Sequence, residues 1–336
     1  MKVFEIGEFD LIDRVNSISG RPASDVRIGI GDDAALVSHD SNEILLTTDA
    51  LVENVHFTNK IPPHAVGYKA IAVNISDIAA MGGKPKHILI SLSLPGHTEV
   101  EVVDEIYKGM IDCAKKFGAG IVGGNMSKSK EIVINVTVTG TVEPKNLRKR
   151  GTALVGDSIL VTGSLGGSAA GLLAIENGII DPDEYRGNEL LEKHLYPKAL
   201  VEESRVLAKL GSRAQEDISD SLYLDLSNIC LASNVGAVVD VSKVPVAPEA
   251  SEVEKSINID PLNLALSGGE DYELLLTASK EEVKKMREGL LRETGTELSE
   301  IGEIVAGSGV RFIDSTGEEI RYDKSGYDHF KDQDDG

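Results

Sequence analysis

EPKNLRKRGTALVGDSILVTGSLGGSAAGLLAIENG, residues 143–178, divides the chain. Its first part, 143–157, combines Pro144, Gly151 and Gly156 with the densest basic cluster of the sequence, Lys145, Arg148, Lys149 and Arg150, which suits a crossing between domains. Beyond the crossing the pattern starts anew: SILVTG is a strand, the glycines after it make a turn, and SAAGLLAIENG is a helix. Residues 1–145 are therefore expected to form one domain and 146–336 a second, α/β one. Length agrees, because 336 residues exceed what a single hydrophobic core usually serves.

Upstream of the crossing, an amphipathic first helix is expected, with Phe9, Ile12, Val15 and Ile18 near one face. The short apolar runs VRIGI, ILLTTDAL and HILISLSL then alternate with two helical patterns, about 63–81 and about 99–117. EIVINVTVTGTVE alternates as a long strand. Downstream, strand and helix patterns continue to GVRFID, and the fold class is α/β or α+β.

Composition excludes several functions. With 41% hydrophobic and 26% charged residues the chain can bury a sizeable core and need not be disordered. A net charge of −21 repels nucleic acid and anionic membranes, so neither is expected as a partner. Cys113 and Cys230 lie in helical patterns without metal spacing and read as ordinary buried thiols. MKVFEIGEFDLIDRV has acidic residues where a signal peptide needs an apolar stretch, and no run of about 18 apolar residues occurs, so a cytoplasmic location is expected. The terminal KDQDDG reads as a solvated tail.

Acidic residues and glycines gather at the ends of the apolar runs: GIGDDAA, TTDALVENVHF, NISDIAAMGG, GGNMSKS, EDISDSLYLDL and ALSGGEDYELLLT. For any one segment, a helix cap or a turn suffices as explanation. Six such segments together place Asp32, Asp49, Asp77, Asp217 and Asp220 where loops collect functional groups. Hard oxygen ligands without matching His or Cys indicate Mg²⁺ rather than zinc. Carboxylates about 4 Å apart repel by roughly 4 kcal/mol at an effective dielectric of 20, so such a cluster needs cations, and bridging Mg²⁺ would let it receive a phosphate. GSLGGS at 163–168 and SGGED at 267–271 could each cradle phosphate through backbone N–H groups. No GxxxxGK[ST], no GxGxxG after the first strand and no HRD-type catalytic loop is present, which disfavours the familiar nucleotide folds.

Taken in order, GIGDDAA, TTDALVENVHF, NISDIAAMGG, VTGSLGGSAAGL, DISDSL, ALSGGEDYEL and GYDHF resemble the thiamine-monophosphate kinases, from GEFDLI at 7 to GYDHF at 326. GDDAA and GGED also recur in the wider superfamily of ATP-dependent synthetases, which includes aminoimidazole ribonucleotide synthetase and selenophosphate synthetase. The resemblance implies a two-domain ATP-dependent synthetase-like fold, an N-terminal domain that pairs in a homodimer, and transfer of phosphate from ATP to thiamine monophosphate. It further implies Mg²⁺ on Asp32, Thr47, Thr48, Asp49, Asp77, Asp217 and Asp220, ATP against Tyr107, Arg150 and Ser219, and the thiamine moiety against His56, Glu270 and Tyr327.

Each role has a plainer alternative. Tyr107 lies on an apolar helix stripe and could be core, Arg150 could be solvated in its linker, His56 could be a satisfied structural histidine, and Tyr327 could pin the C-terminus. One position departs from the family, which shows Asp where this chain has Asn125 in GGNMSKS; an amide oxygen there predicts weaker metal binding. Ser221 likewise stands where the family commonly has Gly. A phosphate monoester acceptor has a second pKa of about 6 and is already a nucleophile near pH 7, so no catalytic general base is expected. Two rivals are another synthetase of the superfamily and a non-catalytic nucleotide-binding or thiamine-phosphate-binding protein. For selenophosphate synthetase neither cysteine lies near the N-terminal glycine-rich start.

Overall fold

The computed structural model describes residues 24–39 and 42–320, together with positions 10–12, 14 and 16–18, which are helical. Phe9, Val15 and Tyr327 lie outside the described residues.

Two six-stranded sheets organise the chain. The first takes β1 (Val26–Ile28), β2 (Ala35–His39), β3 (Asn42–Val52), β4 (Lys84–Leu94), β5 (Gly120–Lys128) and β6 (Val133–Thr141) in the order β1-β2-β3-β6-β4-β5. Its neighbours are antiparallel except β4 and β5. The second takes β7 (Ser158–Thr162), β8 (Gln215–Asp217), β9 (Gly236–Asp240), β10 (Leu274–Ala278), β11 (Leu298–Val305) and β12 (Gly309–Ile313) in the order β12-β9-β11-β7-β10-β8, antiparallel apart from β12 with β9. Two one-turn helices, Pro144–Asn146 and Arg150–Thr152, lie in the crossing between the sheets.

In β6 the alternation becomes two faces: Ile134, Val136 and Val138 are fully buried, while Asn135, Thr137 and Thr139 point to the other side. Helices α1 (Pro63–Ala80) and α2 (Val100–Lys116) cover the apolar face. α1 starts at a proline, which suits the first helical position, and is buried along almost its whole length between the first sheet, α2 and a helix of the second domain. The two helices approach closely because Gly67 leaves room: a Cβ there would stand 1.9 Å from the Ile106 carbonyl oxygen.

Of the helices α3 (Gly167–Glu176), α4 (Glu189–Leu195), α5 (Val201–Leu210), α6 (Leu222–Ser233), α7 (Ala250–Ile257), α8 (Pro261–Ser267) and α9 (Lys280–Thr294), α5, α6, α8 and α9 pack on the second sheet, while α3, α4 and α7 gather in a separate apolar cluster against α8. Cys113 on α2 and Cys230 on α6 are free and buried, as their patterns predict. Among the described residues no helix is long and apolar enough to cross a membrane.

The domains meet along α1. Gln215 Nε2 donates to the Ala80 carbonyl at 2.8 Å, Ser204 Oγ to that of Ala79, and Arg148 Nε to Ser212 Oγ at 2.9 Å. This seam holds the site.

Candidate active site

α1 turns one face to the second domain. Lys69, Ser76 and Asp77 recur at the i, i+7, i+8 spacing of one helix side. Lys69 Nζ meets Glu270 Oε2 at 2.7 Å, and Ser76 Oγ donates to Asp217 Oδ2. Eight residues of helix separate Lys69 from Asp77, about 12 Å along the axis.

At the Asp77 end, carboxylate oxygens of Asp33, Asp77 and Asp217 lie within 4.8 Å of one another. Each comes from a different element: the turn after β1, α1, and the end of β8. Thr47 Oγ1 on β3 donates to Asp77 Oδ2 at 2.6 Å, and the amide oxygen of fully buried Asn74 accepts the Asp49 N–H at 2.9 Å. Burial, then the charges of Asp49, Asp217 and Asp33, push Asp77 well above the usual carboxylate range. Burial, with Asp33 next, pushes Asp217 up to about 7. Asp32 rises to about 7 through burial and its neighbour Asp33, although its Oδ1 accepts the Asp33 and Arg150 N–H groups.

Asp33, rather than Asp32, supplies the third oxygen, and the sequence reading missed it. The doublet at 32–33 was the signal, but only the turn decides which carboxylate faces inward. Asp33 Oδ1 takes Arg150 Nη2 at 2.8 Å, and Arg150 reaches Glu216 Oε1 at 3.0 Å. The solvated-linker alternative for Arg150 therefore fails: burial alone would weaken its charge, but Asp33 and Glu216 outweigh that and hold it protonated. Among the described residues Asp33 Oδ2 is buried without a hydrogen-bond partner. An orphaned anionic oxygen among crowded carboxylates and a threonine hydroxyl is a donor set that fits a hard divalent cation.

Asp217, Ser219 and Asp220 share one turn. Asp225 Oδ2 holds the N–H groups of Asp220 and Ser221 at 3.2 and 3.1 Å. Ser221 Oγ accepts the Leu224 N–H at 3.1 Å and caps α6, which explains a serine where the family commonly has glycine. The Ser219 carbonyl accepts the Glu270 N–H at 2.7 Å, joining this turn to SGGED. Gly269 permits the contact, since a Cβ there would lie 2.5 Å from the same carbonyl oxygen.

At the Lys69 end, Leu51, His56, Phe57, Val66, Lys69 and His194 line a pocket. His56 Nδ1 accepts the Val52 N–H at 3.0 Å, so the neutral ring carries its proton on Nε2. Burial pushes Glu270 up, but Lys69 and His194 outweigh it and hold its carboxyl below the ordinary value. Burial, then Lys69, pushes His194 down to about 3, so the ring is neutral at working pH. Neither Lys69 nor His194 was identified from sequence. A lysine inside the apolar run GYKAIAV was a usable signal; His194 in EKHLY carried none.

Other expected site residues stand apart. Thr48 projects from the opposite, open face of the sheet, donating to the Val136 carbonyl at 2.9 Å beside Thr137. Asn125 pairs with Ser91 on that same face, on edge strand β5, three strands from β3 and so about 14 Å away. The structure does not bring its amide to its own chain's carboxylates. Tyr107 on α2 is half-buried against the N-terminal core. The phosphate-cradle reading of GSLGGS is corrected, because Asp271 already occupies that turn: its Oδ2 accepts the Gly166 N–H at 2.7 Å and its Oδ1 the Ser168 N–H at 3.2 Å.

Two domains, each a six-stranded sheet with helices, and a carboxylate cluster on the seam define the class. The chain matches the AIR synthase related protein N-terminal domain over residues 31–142 and the corresponding C-terminal domain over 155–315. It is 37% identical to the thiamine-monophosphate kinase of Aquifex aeolicus over 98% of this chain and 100% of the relative, and 36% identical to that of Bacillus subtilis over 96% and 99%. A solved structure of AaThiL complexed with AMPPCP and TMP superposes with a TM-score of 0.84 at 36% identity, covering 98% of this chain and 99% of that one. The chain belongs to the thiamine-monophosphate kinase family.

Proposed function

We propose that the chain transfers the γ-phosphoryl group of ATP to the phosphate of thiamine monophosphate, giving thiamine diphosphate and ADP. The observation that carries this reading is the meeting of Asp33, Asp77 and Asp217 within 4.8 Å on the domain seam, about 12 Å of helix from the Lys69–Glu270 pair. An elongated acceptor with a heterocycle at one end and a phosphate at the other suits that separation.

Mg²⁺ held by Asp33, Asp77 and Asp217, with Asp32, Thr47, Asp49 and Asp220 around them, would supply charge neutralisation and orientation for the phosphates. Arg150 and Ser219, both tied to the carboxylate turns, and Tyr107 are assigned to ATP. His56 and Glu270 are assigned to the heterocycle, with Tyr327. The acceptor phosphate is mostly dianionic near pH 7 and is itself the nucleophile, so the transfer is assigned as direct and in line, with no general base required.

We further infer a homodimer. β5 is an edge strand, exposed along its length, and carries Val122 and Met126 at 60% and 62% exposure. Such an edge invites pairing with a second copy, and Asn125 would then stand at the joint. Residues 1–145 and 146–336 act as the two domains. The need for ATP supports a cytoplasmic reaction. Incubation with ATP, Mg²⁺ and thiamine monophosphate, with separation of the products, tests the proposal: thiamine diphosphate and ADP are expected, and failure to form thiamine diphosphate contradicts it.

A further inference from the structure

The turn SGGEDY, 267–272, carries two non-glycine residues in the left-handed region, Glu270 at φ +64° and Tyr272 at φ +52°, with Asp271 between them. A side chain in that region persists only where its surroundings over-determine it. Backbone bonds contribute, from Glu270 N–H to the Ser219 carbonyl at 2.7 Å and from Tyr272 N–H to that of Ile218 at 2.9 Å. Asp271 contributes differently. Its carboxylate turns to the first turn of α3 and takes the Gly166 and Ser168 N–H groups, one on each oxygen.

Those contacts close a ring. Ser168 gives its N–H to Asp271, and its Oγ lies 3.1 Å from His194 Nδ1. The same His194 Nδ1 lies 3.5 Å from Glu270 Oε2, and Glu270 is bonded covalently to Asp271. The Glu270 carboxylate is thus fixed from its backbone through Asp271 and at its tip by Lys69 on α1, with the neutral His194 ring, held by Ser168, packed beside it.

We propose that Asp271 is a positioning residue for the acceptor: by holding the first turn of α3 it keeps Glu270 left-handed, aims that carboxylate at the Lys69 pocket, and so sets the KM for thiamine monophosphate without touching it. The inference rests on the assignment of Glu270 to the acceptor.

Asp271→Asn is the test, because an amide can accept one of the two N–H groups but presents its own NH₂ to the other. Losing one charge-assisted hydrogen bond should raise the KM for thiamine monophosphate roughly tenfold or more and leave the KM for ATP within about twofold. If Asp271 acts through Glu270, adding D271N to Glu270→Gln should worsen that KM by less than about twofold. An unchanged KM for thiamine monophosphate, an equal rise for both substrates, or multiplicative effects in the double variant would overturn the proposal. Should D271N not fold, Ser168→Ala cuts the same ring while sparing the backbone bonds: a rise of about threefold or more in the same KM alone supports the proposal, and no rise contradicts it. If the wild-type protein does not phosphorylate thiamine monophosphate, the functional reading falls. A D271N crystal structure then decides this inference by itself: loss of the left-handed Glu270 supports it, and retention of φ near +64° contradicts it.

Discussion

Lys69 Nζ and Glu270 Oε2 stand 2.7 Å apart, joining the central helix of the first domain to the glycine turn of the second. Lys69 is one of the few charged side chains fully enclosed by the fold, with 7% of its side chain exposed against 28% for Glu270. Lys69 also lines the pocket beside His56, so the contact that ties the two domains together stands at the edge of the place proposed for the acceptor.

Lys69→Met should therefore cost about 2 kcal/mol, below the 3–5 kcal/mol typical of breaking a fully buried pair, because Glu270 keeps some solvent. The sign with pH is set by Glu270, whose folded pKa is held below its ordinary value. In the wild type its stabilising contribution is present above about pH 4.5 and lost as pH falls through the lower folded value. Without Lys69, burial alone raises the carboxyl, so the deficit of the variant should be largest at pH 7 and shrink toward pH 4.5. Urea unfolding at the two pH values checks this, and an equal deficit at both would contradict it.

Asp77→Asn should nearly abolish phosphoryl transfer and yet stabilise the metal-free protein. The substitution removes a buried carboxyl that must either take up a proton on folding or face the charges of Asp49, Asp217 and Asp33, while the amide can still accept from Thr47. A melting temperature raised by about 2–4 °C per kcal/mol gained, together with loss of turnover, is the expected pattern. A destabilised variant would mean that the carboxylate is compensated in the folded state.

The same crowding sets a pH dependence. Asp32 and Asp217 are raised to about 7 and Asp77 well above its ordinary value, so the folded state binds more protons than the unfolded one. Stability from this source is full below about pH 4 and lost as pH rises through about 7. Mg²⁺ bound at the cluster would replace those protons, and it should raise the melting temperature more at pH 8 than at pH 5.5. Equal Mg²⁺ shifts at both pH values would place the ion elsewhere.

The proposed pairing through β5 makes Met126→Lys a test: the wild type should run at twice the chain mass and the variant at one. A lysine on an exposed edge strand opposes pairing with a second copy, and light scattering coupled to gel filtration reads the mass directly. A variant still at twice the chain mass would remove β5 from the interface.

Much of the fold was legible because its signals are local. EIVINVTVTGTVE alternates with the period of a strand buried on one side, and Val133–Thr141 is one. The helix expected at 63–81 runs from Pro63 to Ala80, bounded by proline and by Met81-Gly82-Gly83. The site was legible as an acidic cluster but not in its membership. Asp32 and Asp33 are indistinguishable until the turn directs one of them at Asp77 and Asp217. GSLGGS looks like an anion cradle, and it is one, filled from within by Asp271, more than a hundred residues away in sequence. Lys69 and His194 meet around Glu270 only because the second domain folds back onto α1.

The central claim is phosphoryl transfer between two phosphates across the domain seam, and ATP labelled in its γ-phosphate tests it most directly. With unlabelled thiamine monophosphate and Mg²⁺, the label should appear in the terminal phosphate of thiamine diphosphate, one for each ADP formed, and should disappear from that product in D77N. Label released as inorganic phosphate, or ADP formed without labelled thiamine diphosphate, would contradict the account.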